Sequence, residues 1–193
     1  MTAIKLTAPA DSLDFSTYDI HKVEINLSDY LGKAVILSFF RDTSCPFCLK
    51  RVFDLSAQQN RWRKLGVEII VVFTSPPDEV ASFHKNKFER LRVIGDPELK
   101  IYNLYGIEKS VSGFFKGLAL KLPTIAQGVK RGAKIDKNNP HGTIIPADFL
   151  IDPDGLIVDC WYGRNAGDNI PIQRIHDFVK KMSIQNRENS SES

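Results

Sequence analysis

This chain of 193 residues has few cysteines, no long apolar run, and no repeat or low-complexity block before its polar end. Its three cysteines cannot all pair within one chain, which argues against the disulfide framework of a small secreted protein. No run approaches the roughly 18 apolar residues of a membrane span. The beginning of the chain lacks the charged start and apolar stretch of a secretory signal. We therefore expect a soluble cytoplasmic protein without a membrane span.

Apolar residues are plentiful enough to build a core. Hydrophobic residues make up 42% of the chain and charged residues 25%, with twelve Phe and two Trp, which excludes wholesale disorder. The length fits one ordinary domain or one domain that carries an insertion. We expect a single domain over residues 1–182, a helical basic insertion at about residues 107–142, and a frayed polar tail over residues 183–193.

The positive charge belongs to one segment. The net charge is +3, yet residues 113–140 hold six basic side chains and one acidic, so the remainder carries −2. Apolar residues recur there at helical spacing between glycines and a proline, which predicts two short amphipathic helices. They are interpreted as a cover for the core or site, as a subunit interface in a homodimer, or as a surface patch for membranes or nucleic acid. The last lacks dense basic clusters and interleaved aromatics, so we expect no nucleic-acid partner.

Hydrophobic patterns along the chain predict an α/β fold. Strands are expected at residues 23–27, 34–40, 67–73 and 91–94, and in a hairpin of residues 147–151 and 156–162. Helices are expected from Cys45 to about Arg63, from Ser75 to about Lys87, from Asp96 through Tyr105, and from about Pro171 onward. This order predicts a central mixed sheet, flanked by helices, that ends in an antiparallel edge.

Cys45 and Cys48 stand where a buried strand meets the start of a helix. The first N–H groups of a helix are unpaired and partly positive, which favours a thiolate over a thiol, and Arg41, Lys50 and Arg51 add cationic charge nearby in sequence. Two cysteines at this spacing can close a disulfide. Cys-x-x-Cys beside strand–helix–strand units is the thioredoxin-like redox signal.

Other interpretations of the cysteines stay open. A zinc half-site needs two further ligands, whereas Cys160 is alone and the four histidines are scattered. Two buried core thiols are the other alternative. Cys160 itself is predicted to be a core thiol, with a distant resolving role as the alternative. A cis Ile145–Pro146 bond would present the backbone before a strand to a thiol across the site.

These pieces together resemble the thioredoxin fold and, within it, the alkyl hydroperoxide reductase/thiol-specific antioxidant (AhpC/TSA) family. Besides the Cys45–Cys48 motif, the resemblance rests on DYLGK at residues 29–33, DPELKIYNLYG at 96–106 and FLIDPDG at 149–155. It covers roughly residues 23–179 apart from the insertion. The resemblance implies a thiol-based reductase or peroxidase, with Cys45 and Cys48 reactive and Pro146 as the family's cis-proline.

The chain departs from the family's peroxidatic motif, Pro-x-x-x-Thr-x-x-Cys. Aligning Cys48 with the motif places Cys45 at the threonine and Arg41 at the proline, whereas aligning Cys45 places Asp42 and Ser38 there. The family's catalytic arginine, at the start of the hairpin, has no counterpart here. Supporting residues are therefore chosen by their chemistry alone: Arg41, Thr43, Ser44 and Arg164.

The expected chemistry is a dithiol–disulfide cycle that needs neither an organic cofactor nor a metal. Cys45, as the more exposed thiol, would attack a peroxide or a disulfide, and Cys48 would resolve the product into a Cys45–Cys48 disulfide. An external thiol reductant of the thioredoxin or glutathione type would then restore the dithiol. The alternatives are a disulfide reductase without peroxidase activity, a redox-regulated binding module, and a zinc half-site completed by another chain.

Overall fold

The computed structural model describes residues 4–84, 91–109 and 141–191. The strands in these ranges are β1 (Ala10–Asp11), β2 (Ser16–Tyr18), β3 (Glu24–Asn26), β4 (Ala34–Phe39), β5 (Val67–Phe73), β6 (Arg92–Gly95), β7 (Ala147–Ile151) and β8 (Leu156–Tyr162). The α-helices are α1 (Pro46–Arg63), α2 (Pro77–His84), α3 (Lys100–Leu104) and α4 (Ile172–Ser191), and a 3₁₀ helix spans Leu27–Tyr30.

A mixed sheet of six strands forms the centre, in the order β1-β8-β7-β4-β5-β6. β4, β5 and β6 pair in parallel, whereas β7 and β8 add to β4 as an antiparallel hairpin and β1 closes that edge. β2 and β3 form a separate antiparallel pair. β4 is buried along its whole length because side chains pack against both faces of the sheet, which accounts for its continuous apolar sequence.

Two apolar clusters cover the two faces of the sheet. On one face, α1 and α4 pack through residues such as Val52, Leu55, Ile175 and Val179, and this cluster also contains the two cysteines of the motif. The other cluster is built from α3, the β2–β3 region and the alternate side chains of the sheet, with aromatic contacts between Phe39, Tyr105 and Phe149. The sheet therefore separates the cysteine motif from the aromatic cluster.

The predicted α/β thioredoxin-like fold is confirmed, and its predicted strands and helices fall within a few residues of their positions. Two features of the structure differ from the elements predicted from the sequence. β1 and β2 were not expected from the sequence, and α4 continues to Ser191, so much of the segment expected to be a frayed tail is helical. Residues 110–140, which include the two helices predicted in the insertion, and residues 85–87 at the predicted end of α2 lie outside the described residues.

Candidate active site

Cys45 caps the N-terminus of α1. Its backbone is extended, and its sulfur accepts a hydrogen bond from the backbone N–H of Cys48 at 3.4 Å. Pro46 opens the helix, a position where no N–H is needed. The sulfur of Cys48 accepts the backbone N–H of Arg41, also at 3.4 Å. The loop and the first helical turn thus aim backbone donors at both sulfur atoms.

Both thiols are buried. Cys45 is 0% exposed and Cys48 is 2% exposed, so the expectation that Cys45 is the more accessible thiol was wrong. The reason is that both side chains belong to the apolar cluster beneath α1. Cys160 is partly exposed on β8, packs against the cluster on the other face of the sheet, and donates to the carbonyl of Leu6 at 3.5 Å. All three cysteines are present as free thiols.

Electrostatics distinguishes the two buried thiols. Burial raises the pKa of Cys45, but the hydrogen bond from Cys48 and the charge of Arg41 outweigh it, so the net pKa lies below its ordinary value. Burial raises the pKa of Cys48 well above its ordinary value, and the adjoining Cys45 raises it further. The arrangement therefore favours a thiolate at Cys45 and a proton on Cys48.

Arg41 is the arginine that the structure places beside the thiols. Its guanidinium is buried, its Nε donates to the Asp42 carboxylate at 2.7 Å, and its Nη1 donates to the carbonyl of Gly142 at 2.9 Å. Burial lowers the pKa of Arg41, but the negative charge of Cys45 and the charge and hydrogen bond of Asp42 raise it, so the net pKa is raised. The guanidinium is therefore a fixed, buried positive charge that lowers the pKa of Cys45.

Arg164, the other candidate arginine, lies elsewhere. It follows β8, its side chain is 84% exposed, and both its backbone N–H and its Nε donate to the Asp168 carboxylate, at 2.9 and 3.1 Å. It lines a cleft together with Pro146. An exposed ion pair of this kind has little influence on a buried sulfur.

The structure corrects the expectation that the Ile145–Pro146 peptide bond is cis. In the described part of the chain the cis peptide bond is Ala8–Pro9, and Ile145–Pro146 is trans, which is the usual state of a bond before proline. Pro146 still heads β7, as predicted, and its carbonyl accepts the N–H of Gly163 at 2.9 Å. This bond extends the β7–β8 pairing by one step.

Thr43 and Ser44 bind carboxylates that hold the loop between β4 and α1. The Ser44 hydroxyl and its backbone N–H both donate to Asp42, the N–H at 2.8 Å, while the Thr43 hydroxyl donates to Glu79 of α2. Ser75, which precedes α2, donates to the same Glu79 carboxylate at 2.8 Å. Glu79 and Asp42 were not predicted as site residues, although acids in the first turn after Ser75 are a visible capping signal.

A buried cluster of polar side chains joins β4, β7 and α1. Asp148 on β7 accepts the hydroxyl of Ser38, its cross-strand partner on β4, at 2.6 Å and the N–H of Ile170 at 2.9 Å. Burial raises the pKa of Asp148, and the charge of Arg51 and these hydrogen bonds offset only part of that rise. Arg51, on α1, donates to the Ile170 carbonyl at 2.8 Å. These long-range partners are not visible in the sequence.

Within the described residues, the side chains that could bind a metal ion do not lie together. Within them, no three His, Cys, Asp or Glu side chains are arranged to hold a metal ion. His176 packs edge-on against Trp62, and His141 bonds the carbonyl of Pro97 at 3.0 Å. A membrane-crossing helix is also absent from the part of the chain that the structure describes.

Comparison with known proteins places this site in a family. The model of the AhpC/TSA family matches residues 7–160, which is most of the chain. The chain belongs to the AhpC/TSA family. Its thioredoxin-like fold and its Cys-x-x-Cys pair at the start of α1 are those of a peroxiredoxin-like oxidoreductase.

Relatives of this AhpC/TSA protein include both peroxiredoxins and thiol-disulfide oxidoreductases. Peroxiredoxin Bcp of Escherichia coli is 24% identical over 167 residues, which cover 86% of this chain and 87% of that protein. Thiol-disulfide oxidoreductase ResA of Bacillus thuringiensis is 23% identical over 180 residues, covering 93% and 80%. The crystal structure of a peroxiredoxin-like protein from Aquifex aeolicus superposes with a TM-score of 0.68 at 13% identity, over 94% of this chain and 90% of that chain, and shares the fold.

Proposed function

We propose that this protein reduces hydroperoxides through a dithiol–disulfide cycle in which Cys45 attacks and Cys48 resolves. The observation that carries the proposal is the environment of Cys45, whose sulfur caps α1 and accepts the N–H of Cys48, and whose pKa is lowered by that bonding and by the charge of Arg41. A lowered thiol pKa supplies the thiolate that nucleophilic attack requires. The pKa of the neighbouring Cys48 is raised, so this thiol stays protonated while Cys45 attacks.

The cycle balances with a peroxide and an external dithiol. The Cys45 thiolate attacks the distal oxygen of ROOH, the O–O bond breaks, and with one proton the products are Cys45 sulfenic acid and ROH. The Cys48 thiol then attacks the Cys45 sulfur, forming the Cys45–Cys48 disulfide and releasing water. A partner dithiol reduces this disulfide by exchange and is itself oxidised to a disulfide.

The test is stopped-flow oxidation of the reduced protein by hydrogen peroxide, in a Cys160→Ser background so that thiol counts report the motif alone. We expect rapid loss of both remaining thiols. Cys48→Ser is expected to stop at a sulfenic acid that dimedone traps, and Cys45→Ser to abolish the rapid phase. Serine is itself a good helix cap, so Cys45→Ser is expected to keep α1 intact, which circular dichroism checks.

A rate no higher than that of free cysteine would contradict the peroxidase proposal. The second candidate, a disulfide reductase, is favoured by one observation: when Cys48 is aligned with the peroxidatic motif, Cys45 occupies the threonine position. In that case the reduced protein would react rapidly with 2-hydroxyethyl disulfide but not with peroxide. The same two cysteine variants would assign the attacking thiol by which mixed disulfide accumulates.

A further inference from the structure

A tyrosine hydroxyl from α3 binds the backbone that leads from β4 to the cysteine motif. Tyr102 is 0% exposed, and its ring packs in the aromatic cluster, edge-on against Phe39 with 5.1 Å between ring centroids. Its hydroxyl donates to the carbonyl of Phe40 and to that of Val72, the latter at 2.8 Å. Phe40 is the first residue after β4. The hydroxyl therefore connects α3 to the loop between β4 and α1.

One peptide group joins this hydroxyl to a thiol. The carbonyl of Phe40 and the N–H of Arg41 belong to the same peptide group. Its carbonyl accepts the hydroxyl of Tyr102, and its N–H donates to the sulfur of Cys48 at 3.4 Å. Because a peptide group is planar, a donor that fixes its carbonyl also fixes the direction of its N–H. The bond to the carbonyl also polarises the group, which makes the N–H a stronger donor.

The surrounding hydrogen bonds show which part of this backbone depends on Tyr102. The Val72 carbonyl also accepts the N–H of Phe40 at 2.8 Å, whereas among the described residues the Phe40 carbonyl depends on Tyr102 alone. The carbonyl of Arg41 is held separately by the N–H and the hydroxyl of Thr74, at 2.7 and 2.6 Å. Burial raises the pKa of Tyr102 well above its ordinary value, so the hydroxyl keeps its proton and remains a donor.

We propose that Tyr102 is a positioning residue for the resolving step of the thiol reaction. By holding the peptide group between Phe40 and Arg41, it directs an N–H at the sulfur of Cys48. That N–H stabilises the negative charge on Cys48 as its proton leaves and its sulfur attacks Cys45. The inference rests on the proposed dithiol chemistry. It applies to a Cys45 sulfenic acid, from which water leaves with that proton, and to a mixed disulfide, from which a thiol leaves.

The kinetic test separates attack from resolution. In a Cys160→Ser background, the reduced protein is mixed with increasing concentrations of hydrogen peroxide or 2-hydroxyethyl disulfide, and acid-quenched samples are analysed by intact mass. Attack by Cys45 depends on the concentration of the reagent, whereas resolution by Cys48 does not. We expect Tyr102→Phe to slow resolution by about 2- to 5-fold near pH 7, because one hydrogen bond to the thiolate is weakened and increased nucleophilicity offsets only about half of that loss. The midpoint of the rate–pH profile for resolution should move to higher pH.

The attack step and a second tyrosine supply the controls. Attack by Cys45 should keep its rate in Tyr102→Phe, because the guanidinium of Arg41 is held by its own side-chain hydrogen bonds. Tyr105→Phe is the matched variant. It removes another buried hydroxyl of the aromatic cluster, which donates to the carbonyl of Leu13 at 2.8 Å. We expect it to change neither step.

A second variant strengthens the same hydrogen bond. Placing 3-fluorotyrosine at position 102 keeps the hydroxyl and makes it more acidic, and therefore a better donor. We expect faster resolution and a downfield shift of the Arg41 amide proton in the NMR spectrum of the reduced protein. Tyr102→Phe should shift this proton upfield, and Tyr105→Phe should leave it in place. The NMR measurement needs no substrate, so it tests the positioning independently of the reaction.

Failure of the proposed function is distinguishable from failure of this inference. A wild type that reacts slowly with peroxide, combined with slower resolution of the mixed disulfide in Tyr102→Phe, would remove the peroxidase proposal and keep the role of Tyr102. An unchanged resolution rate in folded Tyr102→Phe would overturn that role, as would equal slowing of attack and resolution, or the same slowing in Tyr105→Phe. Circular dichroism checks folding, and the fluorinated protein decides the outcome if Tyr102→Phe does not fold.

Discussion

At the scale of single residues, the central feature is the difference between two arginines. Arg41 and Arg164 were equal candidates from their chemistry, but Arg41 is buried and its charge lowers the pKa of Cys45, while Arg164 is exposed and bonded to Asp168. Desolvation makes the charge of Arg41 effective, because there is little solvent between it and the sulfur to screen the interaction. Position in the fold therefore decides which arginine can stabilise a thiolate.

Arg41→Gln is expected to raise the pKa of Cys45. The variant loses the positive charge that lowers this pKa, while Asp42, which raises it, remains. The midpoint of the rate–pH profile for peroxide should move to higher pH, so that the rate near pH 7 falls severalfold. Absorbance of the thiolate near 240 nm measures the same midpoint directly.

Arg164→Gln is the matched control, since it removes the same charge from an exposed position that pairs with Asp168. Its rate–pH profile should superpose on that of the wild type. Equal shifts in the two variants would show that the effect comes from net charge, and would contradict a specific role of Arg41.

At the scale of helices and strands, the sequence is sufficient to predict an element when interactions between residues close in sequence determine it. β4 and β5 are nearly continuous apolar runs, and prolines stand in the first turns of α1 and α2, so these elements and the position of the cysteine motif could be predicted. β1 could not, because its two residues are extended only by pairing with β8. The same holds for the contact between Arg51 and Ile170, which joins residues far apart in sequence.

The buried Asp148 links several elements and makes a pH-dependent contribution to stability. Because burial raises its pKa in the folded state, the folded protein binds this proton more tightly than the unfolded chain. The resulting stabilisation is complete below the unfolded pKa, near 3.8, and is lost as the pH rises through the raised folded value.

Asp148→Asn removes this titration. We expect the variant to be less stable than the wild type by about 1 kcal/mol at low pH, because an amide has one acceptor oxygen and cannot accept both the Ser38 hydroxyl and the Ile170 N–H. The difference in the free energy of unfolding should narrow as the pH rises from the unfolded pKa, near 3.8, through the raised folded pKa of Asp148. Urea unfolding across this range measures it, and a gap that stays constant or widens would contradict the assignment.

At the scale of the whole molecule, the reactive pair is enclosed. Cys45 and Cys48 lie within the core beneath α1, whereas Cys160 is partly exposed on the hairpin edge. A reagent that is too large to enter must wait for local opening of the fold, so its rate reports the free energy of that opening as well as thiol reactivity. A small peroxide requires a smaller opening than a protein-sized or dye-sized reagent.

This enclosure predicts the order in which a bulky maleimide dye labels the native reduced protein. Cys160 should react first, and Cys45 should follow slowly despite its lowered pKa, because access and not thiolate content limits it. In denaturant the three cysteines should react together, and native Cys160→Ser should lose the rapid phase. Peptide mapping identifies the labelled residue. Rapid native labelling of Cys45 would show that α1 opens freely at its N-terminus, and the pair would then be available to protein partners without a preceding conformational step.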